Sequence, residues 1–196
     1  MGYKSEFSLI DKQGRRKYLN RCERIQFIES AFCVDEKEKM FCLFLIYSGA
    51  RISEALNLSP NSFDFETDAV YINTLKKRRE NVFRYVYLPE DYLRQLQKYF
   101  TRMGLSNNNN DLIWSFCRQT GDRYVKKVMK NAKINTVKTS AITLRHTFAI
   151  HALESNIPIT MLKDFMGHSS IMTTIIYSQF GSSEKRRISK KMWDKD

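Results

Sequence analysis

The chain has 196 residues, enough to bury a core, and it is 42% hydrophobic and 13% aromatic, which excludes a disordered basic tail. Lysine and arginine number 33 against 21 aspartate and glutamate residues, so the formal net charge is +12 and a polyanionic partner is favoured. The longest strongly apolar run, Met40 to Tyr47, is far too short to span a membrane, and the N-terminus lacks an apolar signal core, so we expect a cytoplasmic protein.

The first half of the chain predicts helices followed by a β-hairpin. Residues 1–17 are a basic arm with no fold signal, and an apolar stripe that includes Ile25 and Phe32 begins the folded part. Helices are predicted at about residues 18–32, 35–48 and 51–59. The segments AVYINTL and VFRYVYL then alternate in the manner of β-strands, and KKRREN between them is typical of the exposed tip of a hairpin.

The second half predicts further helices. Helical spacing returns after Pro89, LIWSF is predicted as a short buried strand or extended piece, and Arg123 to Lys133 as a basic helix that suits either solvent or DNA. Three more helices are predicted at about residues 143–154, 158–165 and 170–178. We therefore predict an α+β, mainly helical domain at residues 18–181 with one small antiparallel sheet, and a tail at 182–196 that can pack on a neighbouring protomer.

Two places in the first half carry cations that the local pattern does not require. Arg51 follows a glycine turn and opens a helix, although an ordinary ion pair with Glu54 also explains it. The hairpin tip carries four adjacent cations that repel one another, which suits a solvated turn or a phosphate chain lying beside it.

Two further places lie in TLRHTFAIHAL and MGHSSIMTTIIY. Arg145 and His146 open an amphipathic helix but are about 100° apart around it, so we do not expect them to face one site. His146 and His151 suit core or interface positions. Tyr177 follows His168 by nine residues, and a core tyrosine with its hydroxyl at the surface is the alternative to a functional one.

Taken in order, GARISEAL, a hairpin lysine, TLRHTFAIHAL and MGHSSIMTTIIY resemble the catalytic domain of the tyrosine recombinases, also called the phage integrase family. The resemblance covers roughly Tyr18 to Phe180, and its last two motifs are the specific ones. It implies the recombinase catalytic-domain fold and a site-specific DNA recombinase. Such an enzyme works as a tetramer on double-stranded DNA that carries a specific recombination site, in the cytoplasm at the nucleoid.

The resemblance makes Tyr177 the nucleophile, which would attack a DNA phosphodiester and leave a 3′-phosphotyrosyl link and a free 5′-hydroxyl. That link retains the bond energy of the backbone, so no cofactor and no metal is implied. The cysteines and histidines also fall at no metal-ligand spacing. Arg51 and Arg145 match the arginines that would hold the non-bridging phosphate oxygens as charge builds on them.

Other roles follow from the same resemblance. Lys76 matches the general acid that protonates the leaving 5′-oxygen, with Lys77 as an alternative. His168 matches a histidine that hydrogen-bonds the phosphate, and Glu54 an acidic residue that orients one of the two arginines. Further DNA contacts are expected at Lys77, Arg78, Arg79, Arg123, Lys126, Lys127 and Lys130.

The chain departs from the family pattern at Ile142, where a histidine or lysine usually stands three residues before the second arginine. Isoleucine can neither accept a proton nor donate to a phosphate, so we expect an enzyme slowed by about 10² to 10⁴ in rate unless Lys138 or His168 compensates. The alternative is a catalytically impaired family member that acts as an accessory or regulatory DNA-binding protein. A second departure is the short basic arm, where many relatives carry an N-terminal domain that clamps DNA.

Overall fold

The computed structural model describes residues 9–74, 82–106, 111–135 and 138–178, and within them the chain forms eight α-helices, one 3₁₀ turn and one three-stranded sheet. The helices are α1 (Arg21–Ala31), α2 (Glu36–Ser48), α3 (Ile52–Ala55), α4 (Glu90–Met103), α5 (Arg118–Asn131), α6 (Ala141–Glu154), α7 (Ile159–Met166) and α8 (Met172–Ser178). The strands are β1 (Phe63–Asp64), β2 (Ala69–Asn73) and β3 (Phe83–Tyr87). The predicted mainly helical fold with a small antiparallel sheet is confirmed.

Helix α2 is the centre of the core, because it is apolar on nearly every side. All residues from Met40 to Ile46 are buried, and α2 packs against α1, α5 and α6. A helix with apolar side chains all round is stable only when other elements surround it. Within the described residues, none of the helices combines the length and the apolar character that crossing a bilayer requires.

The predicted apolar stripe of α1 was wrong. Ile25 and Phe32 are exposed, while Phe27 is fully buried. Asn20 and Glu23 form a capping box, in which each side chain accepts a hydrogen bond from the other residue's backbone N–H. This box fixes where the helix begins and turns the polar Glu23 inward, so the apolar positions predicted from periodicity alone do not all face the core.

Antiparallel strands β2 and β3 confirm the predicted hairpin. Arg84 lies opposite Ile72, and Arg84 and Val86 face inward while Phe83 and its alternate neighbours on β3 are exposed. The hairpin tip, residues 75–81, lies outside the described residues, and so do the predicted acid Lys76 and its neighbours Lys77, Arg78 and Arg79. The segment LIWSF is irregular rather than a strand, with Ile113 and Trp114 buried.

Two glycines that end helices differ in how closely other atoms approach them. Gly49 ends α2 with φ of 62°, and a Cβ built there would lie 2.5 Å from Cδ1 of Phe148 on α6. Gly104 ends α4 with φ of 64°, and nothing lies within 4 Å of its Cβ position. The two sites therefore share the left-handed backbone and differ in the space for a side chain.

We predict that Gly49→Ala destabilises the protein more than Gly104→Ala. Both variants place a side chain in the left-handed region, at about 1–2 kcal/mol, and Gly49→Ala adds overpacking against Phe148 of about 1–3 kcal/mol. Urea unfolding of the two variants measures the difference. Equal losses would show that Phe148 moves aside without cost.

Candidate active site

A buried carboxylate lies at the centre of the candidate site. Glu54 is on α3, and its residue is only 2% exposed. Its Oε1 accepts a hydrogen bond from Arg51 Nη1 at 2.8 Å, and its Oε2 accepts from Arg84 Nη2 at 2.7 Å. Oε2 also accepts from the backbone N–H of Arg51 at 2.9 Å and lies 4.0 Å from Arg145 Nη1. Three guanidinium groups therefore surround one carboxylate.

Arg84 joins this carboxylate to the hairpin and to α7. Its Nε donates to the carbonyl of Phe165 at 2.8 Å, and its Nη1 donates to Thr74 Oγ1 at 3.0 Å. We did not predict Arg84 from the sequence. The signal was present, because strand alternation in FRYVY places Arg84 on the same face as Val86, and a buried arginine requires a partner of opposite charge.

Arg145 lies on the buried side of α6. Its Nη1 donates to the carbonyl of Gly49 at 2.6 Å, and its Nη2 donates to the carbonyl of Met166 and lies 3.2 Å from His168 Nε2. Burial, together with the charge of Arg51, lowers the pKa of Arg145 to about 9 although Glu54 acts to raise it. The guanidinium is thus buried close to another positive charge, and a nearby anion would stabilise it.

His168 follows the left-handed Gly167 that ends α7, so its ring turns back toward α6. A guanidinium can only donate, so Nε2 of His168 accepts from Arg145, and Nδ1 therefore carries the proton that faces Thr174 Oγ1 at 2.9 Å. This assignment makes the imidazole neutral in this arrangement. A cleft of about 1030 Å³ between β3 and α7 opens beside it, with Thr74 and Arg84 in its wall.

Tyr177 on α8 is 2% exposed, and its hydroxyl lies 2.9 Å from Nδ1 of His146. Its ring is nearly parallel to that of His168, at 7° and 6.4 Å between centroids. Burial raises the pKa of Tyr177 to about 12, while the charges of Arg145 and Arg51 act to lower it. The phenol therefore lies within the field of both arginines.

The prediction that Arg145 and His146 do not face one site was wrong. Arg145 contacts His168 and His146 contacts Tyr177, and His168 and Tyr177 lie next to each other. The helical angle between the two α6 residues is unchanged, but α7 and α8 both pack on α6 and supply a partner to each. The site therefore extends around α6 and includes both residues.

Several positions singled out from the sequence make no contact with the site around Glu54, Arg145 and Tyr177. Ile142 lies in the first turn of α6 and is 58% exposed, and Lys138 is exposed as well. On α5, Lys126 pairs with Asp122 at 2.8 Å and Lys127 with Glu38 at 2.7 Å, whereas Arg123 and Lys130 are exposed. Across the ranges that the structure describes, no three histidine, cysteine or acidic side chains are grouped so as to hold a metal ion.

The family model described as the phage integrase family matches residues 18–183. The chain belongs to the phage integrase family. Tyrosine recombinase XerH of Campylobacter jejuni is 24% identical over 183 residues, which are 89% of this chain and 49% of that protein. Tyrosine recombinase XerA of Thermococcus onnurineus is 26% identical over 161 residues, 80% of this chain and 55% of that protein. The chain thus spans about half the length of these curated relatives.

Solved structures show the same fold. The crystal structure of XerA recombinase matches with a TM-score of 0.76 and 26% identity, covering 91% of this chain and 66% of that one. The catalytic domain of bacteriophage HP1 integrase matches with a TM-score of 0.61 and 20% identity, covering 88% of this chain and 93% of that one. The recombinase fold and the family expected from the sequence motifs are confirmed.

The site of this integrase-family chain depends on the charge of Glu54, so we predict that Glu54→Gln destabilises the protein by about 3–5 kcal/mol, since it leaves buried guanidinium groups without their counter-charge. The control is Glu90→Gln, which removes an exposed ion pair with Arg94 and should change the unfolding free energy little. Urea unfolding measures both variants. A loss as small as that of the control would show that Glu54 does not hold the site together.

The pH dependence gives a second readout of the same substitution. Although burial opposes it, hydrogen bonds and charges from Arg84 and Arg51 lower the pKa of Glu54 below 4.5. A carboxylate with a lowered pKa stabilises the fold fully above its unfolded pKa and loses that effect as the pH falls through its folded pKa. The wild type should therefore lose stability below about pH 4.5 more steeply than Glu54→Gln.

Proposed function

We propose that this chain is the catalytic part of a site-specific DNA recombinase that cleaves and rejoins DNA through a 3′-phosphotyrosyl intermediate at Tyr177. The observation that carries the proposal is a set of three guanidinium groups around one carboxylate, two of which, those of Arg51 and Arg145, also act on the Tyr177 phenol. Buried positive charge without a matching anion is costly in a protein. A DNA phosphate supplies that anion next to the nucleophile.

The geometry supports a role for each residue of the site. Arg51, whose side chain is 46% exposed, and Arg145 bind the non-bridging oxygens of the scissile phosphate, while Glu54 and Arg84 hold the guanidinium groups in place. His168, whose ring lies between Arg145 and Tyr177, also contacts the phosphate. With DNA bound, the ring takes the other tautomer: Nδ1 accepts from Thr174 Oγ1, and the protonated Nε2 donates to a phosphate oxygen in place of its contact with Arg145.

The chemistry is a displacement at phosphorus. Tyr177 Oη forms a bond to phosphorus, the bond from phosphorus to the 5′-oxygen breaks, and Lys76 gives that oxygen a proton, with Lys77 as the alternative donor. In the second half-reaction a 5′-hydroxyl attacks the phosphotyrosine and restores the phenol. The step conserves the number of phosphodiester bonds and needs no cofactor.

The solved structures of relatives support double-stranded DNA as the substrate. XerH recombinase has been crystallised bound to its difH substrate in pre-cleavage and post-cleavage complexes, and the Tn1549 transposon integrase in complex with circular intermediate DNA. We extend DNA binding at a specific recombination site to this chain, with Arg123, Lys126, Lys127, Lys130 and the hairpin cations 76–79 as further phosphate contacts. We also propose that the protein assembles as a tetramer on DNA and acts at the nucleoid in the cytoplasm.

The decisive test is trapping of the covalent intermediate. Because the target sequence is unknown, the probe is a pool of nicked duplexes with a randomised central segment, from which protein-linked DNA is recovered on a denaturing gel and sequenced. We expect an adduct with the wild type and none with Tyr177→Phe. Tyr99→Phe is the matched control, since it removes a buried hydroxyl on α4 that has no hydrogen-bond partner among the described residues. DNA binding without an adduct in any variant would favour the accessory DNA-binding protein instead.

We also predict a separate role for the tail at residues 182–196, which lies outside the described residues. If the tail packs on a neighbouring protomer, its removal should lower recombination by about 10²-fold or more, because contacts between protomers add to each protomer's hold on DNA. Binding to a single half-site should change little. Gel-shift titration with half-site and full-site duplexes separates the two effects, and an equal loss of both would contradict the exchange of the tail.

A further inference from the structure

The contact between His146 and Tyr177 has no assigned role in the proposed mechanism. The distance from His146 Nδ1 to Tyr177 Oη is 2.9 Å, within the range over which a base can take a proton directly. We infer that His146 accepts the proton of Tyr177 as the tyrosine attacks DNA and returns it during ligation. The inference rests on the proposed function. It assigns to His146 the proton transfer that Ile142 cannot perform.

The residues that the sequence suggested as substitutes for Ile142 do not make this contact. Both ring nitrogens of His168 are engaged, Nε2 with Arg145 and Nδ1 with Thr174. The Lys138 side chain is exposed, whereas the Tyr177 side chain is buried. His146 therefore has the geometry that these candidates lack.

His146 is also in the protonation state that a base requires. Burial, followed by the charges of Arg145 and Lys17, lowers its pKa to about 4, so the ring is neutral near pH 7. With Nε2 protonated, Nδ1 presents a lone pair to the phenol. The charges that act on the pair are those of Lys17 before α1, Arg51 at the start of α3 and Arg145 on α6, and the titratable ring of His168 after α7 stacks on Tyr177. Tyr18 packs against the apolar cluster that contains Tyr177.

In the free protein the proton stays on Tyr177. The pKa of about 12 for the phenol and about 4 for the imidazole both oppose transfer. A bound phosphate changes this balance, because its negative charge offsets Arg145 and so raises the pKa of His146. As the bond from Oη to phosphorus forms, the phenolic oxygen gives up its lone pair and its proton becomes strongly acidic.

The step balances without a further reactant. The O–H bond of Tyr177 breaks and an N–H bond forms at His146 Nδ1, while a lone pair of Oη forms the bond to phosphorus and the 5′-oxygen leaves with a proton from the general acid. Ligation reverses each of these changes, and the imidazolium returns its proton to Oη. The enzyme is therefore unchanged after both half-reactions.

The test compares His146→Asn with His151→Asn on a nicked duplex recovered from the randomised pool. The asparagine Oδ1 can accept the hydrogen bond in place of Nδ1 but cannot take the proton. His151 lies on the same helix, is half-buried like His146 and has a pKa that burial lowers. We expect His146→Asn to slow single-turnover adduct formation by about 10² to 10⁴-fold at pH 7, and His151→Asn to leave it nearly unchanged.

The pH profile separates proton acceptance from positioning. Between about pH 5.5 and 8 the wild-type rate should be nearly flat, because His146 stays neutral and Arg145 stays charged over that range. In His146→Asn the rate should rise about tenfold per pH unit, since only the phenolate fraction reacts. Replacing Tyr177 with a more acidic fluorotyrosine should restore much of the rate to His146→Asn and little to the wild type. Thermal unfolding and duplex affinity show whether each variant is folded.

Three results would overturn the inference. One is a His146→Asn variant with the wild-type rate and a flat pH profile. Another is a His146→Asn variant that reacts faster than the wild type, which would show that the contact holds Tyr177 in an unreactive position. The third is a slow variant that fluorotyrosine fails to restore, which would make His146 a positioning residue.

If His146→Asn does not fold, His146→Ala with added imidazole replaces it, and absence of rescue counts against proton acceptance. A wild type without any adduct would overturn the proposed function, and this inference with it.

Discussion

The site depends on the ion pairs of one buried carboxylate. Glu54 pairs with Arg51 at the start of α3, with Arg84 on β3 and, at longer range, with Arg145 on α6. Elements distant in the sequence therefore meet at the two oxygen atoms of this carboxylate. An uncompensated charge at such depth would be strongly unfavourable, and this makes the arrangement cooperative: each guanidinium group is tolerated because the carboxylate is there. The carbonyl groups that these arginines contact, at Gly49 and Phe165, tie the same network to the ends of α2 and α7.

The charge compensation is incomplete, and the proposed chemistry takes place beside the uncompensated positive charge. Burial, followed by the charges of Arg51 and Arg84, lowers the pKa of Arg145 although Glu54 acts to raise it, and burial raises the pKa of Tyr177. A phosphate diester entering between them would relieve the excess positive charge and, by receiving the phenolic oxygen, remove the reason for the phenol to hold its proton. In the proposed mechanism, the same arginines that Glu54 stabilises in the free protein would thus stabilise the bound phosphate.

The sequence predicts the fold well where a pattern has one physical cause. Strand alternation located β2 and β3, and the uninterrupted apolar run located the buried α2. It failed for α1, where the capping box of Asn20 and Glu23 fixes the start of the helix and overrides an apolar stripe. For the site, the motifs directed attention to Arg51, Arg145, His168 and Tyr177, whose side chains the structure brings close to one another. The roles of those residues remain proposals.

Two residues of the site escaped prediction for different reasons. Arg84 could have been found, because a cation at an inward strand position implies a buried partner. His146 could not have been found from the angle of about 100° that separates it from Arg145 around the helix. That angle excludes a shared site only if both side chains must reach the same atom. Here α7 and α8 both pack on α6, so that His168 after α7 contacts Arg145 and Tyr177 on α8 contacts His146, and this packing is a tertiary property.

The location of Ile142 bears on how the tyrosine loses its proton. Ile142 is 58% exposed and Tyr177 is 2% exposed, so a basic side chain at position 142 would lie largely in water, where its pKa stays near the ordinary value. His146 is within hydrogen-bond distance of the phenol, and its pKa responds to the charge of Arg145, which also acts on the phenol. In the proposed mechanism, the arrival of the phosphate would raise the pKa of a base placed there. An apolar residue at position 142 is compatible with chemistry when the proton is taken on the buried side of α6.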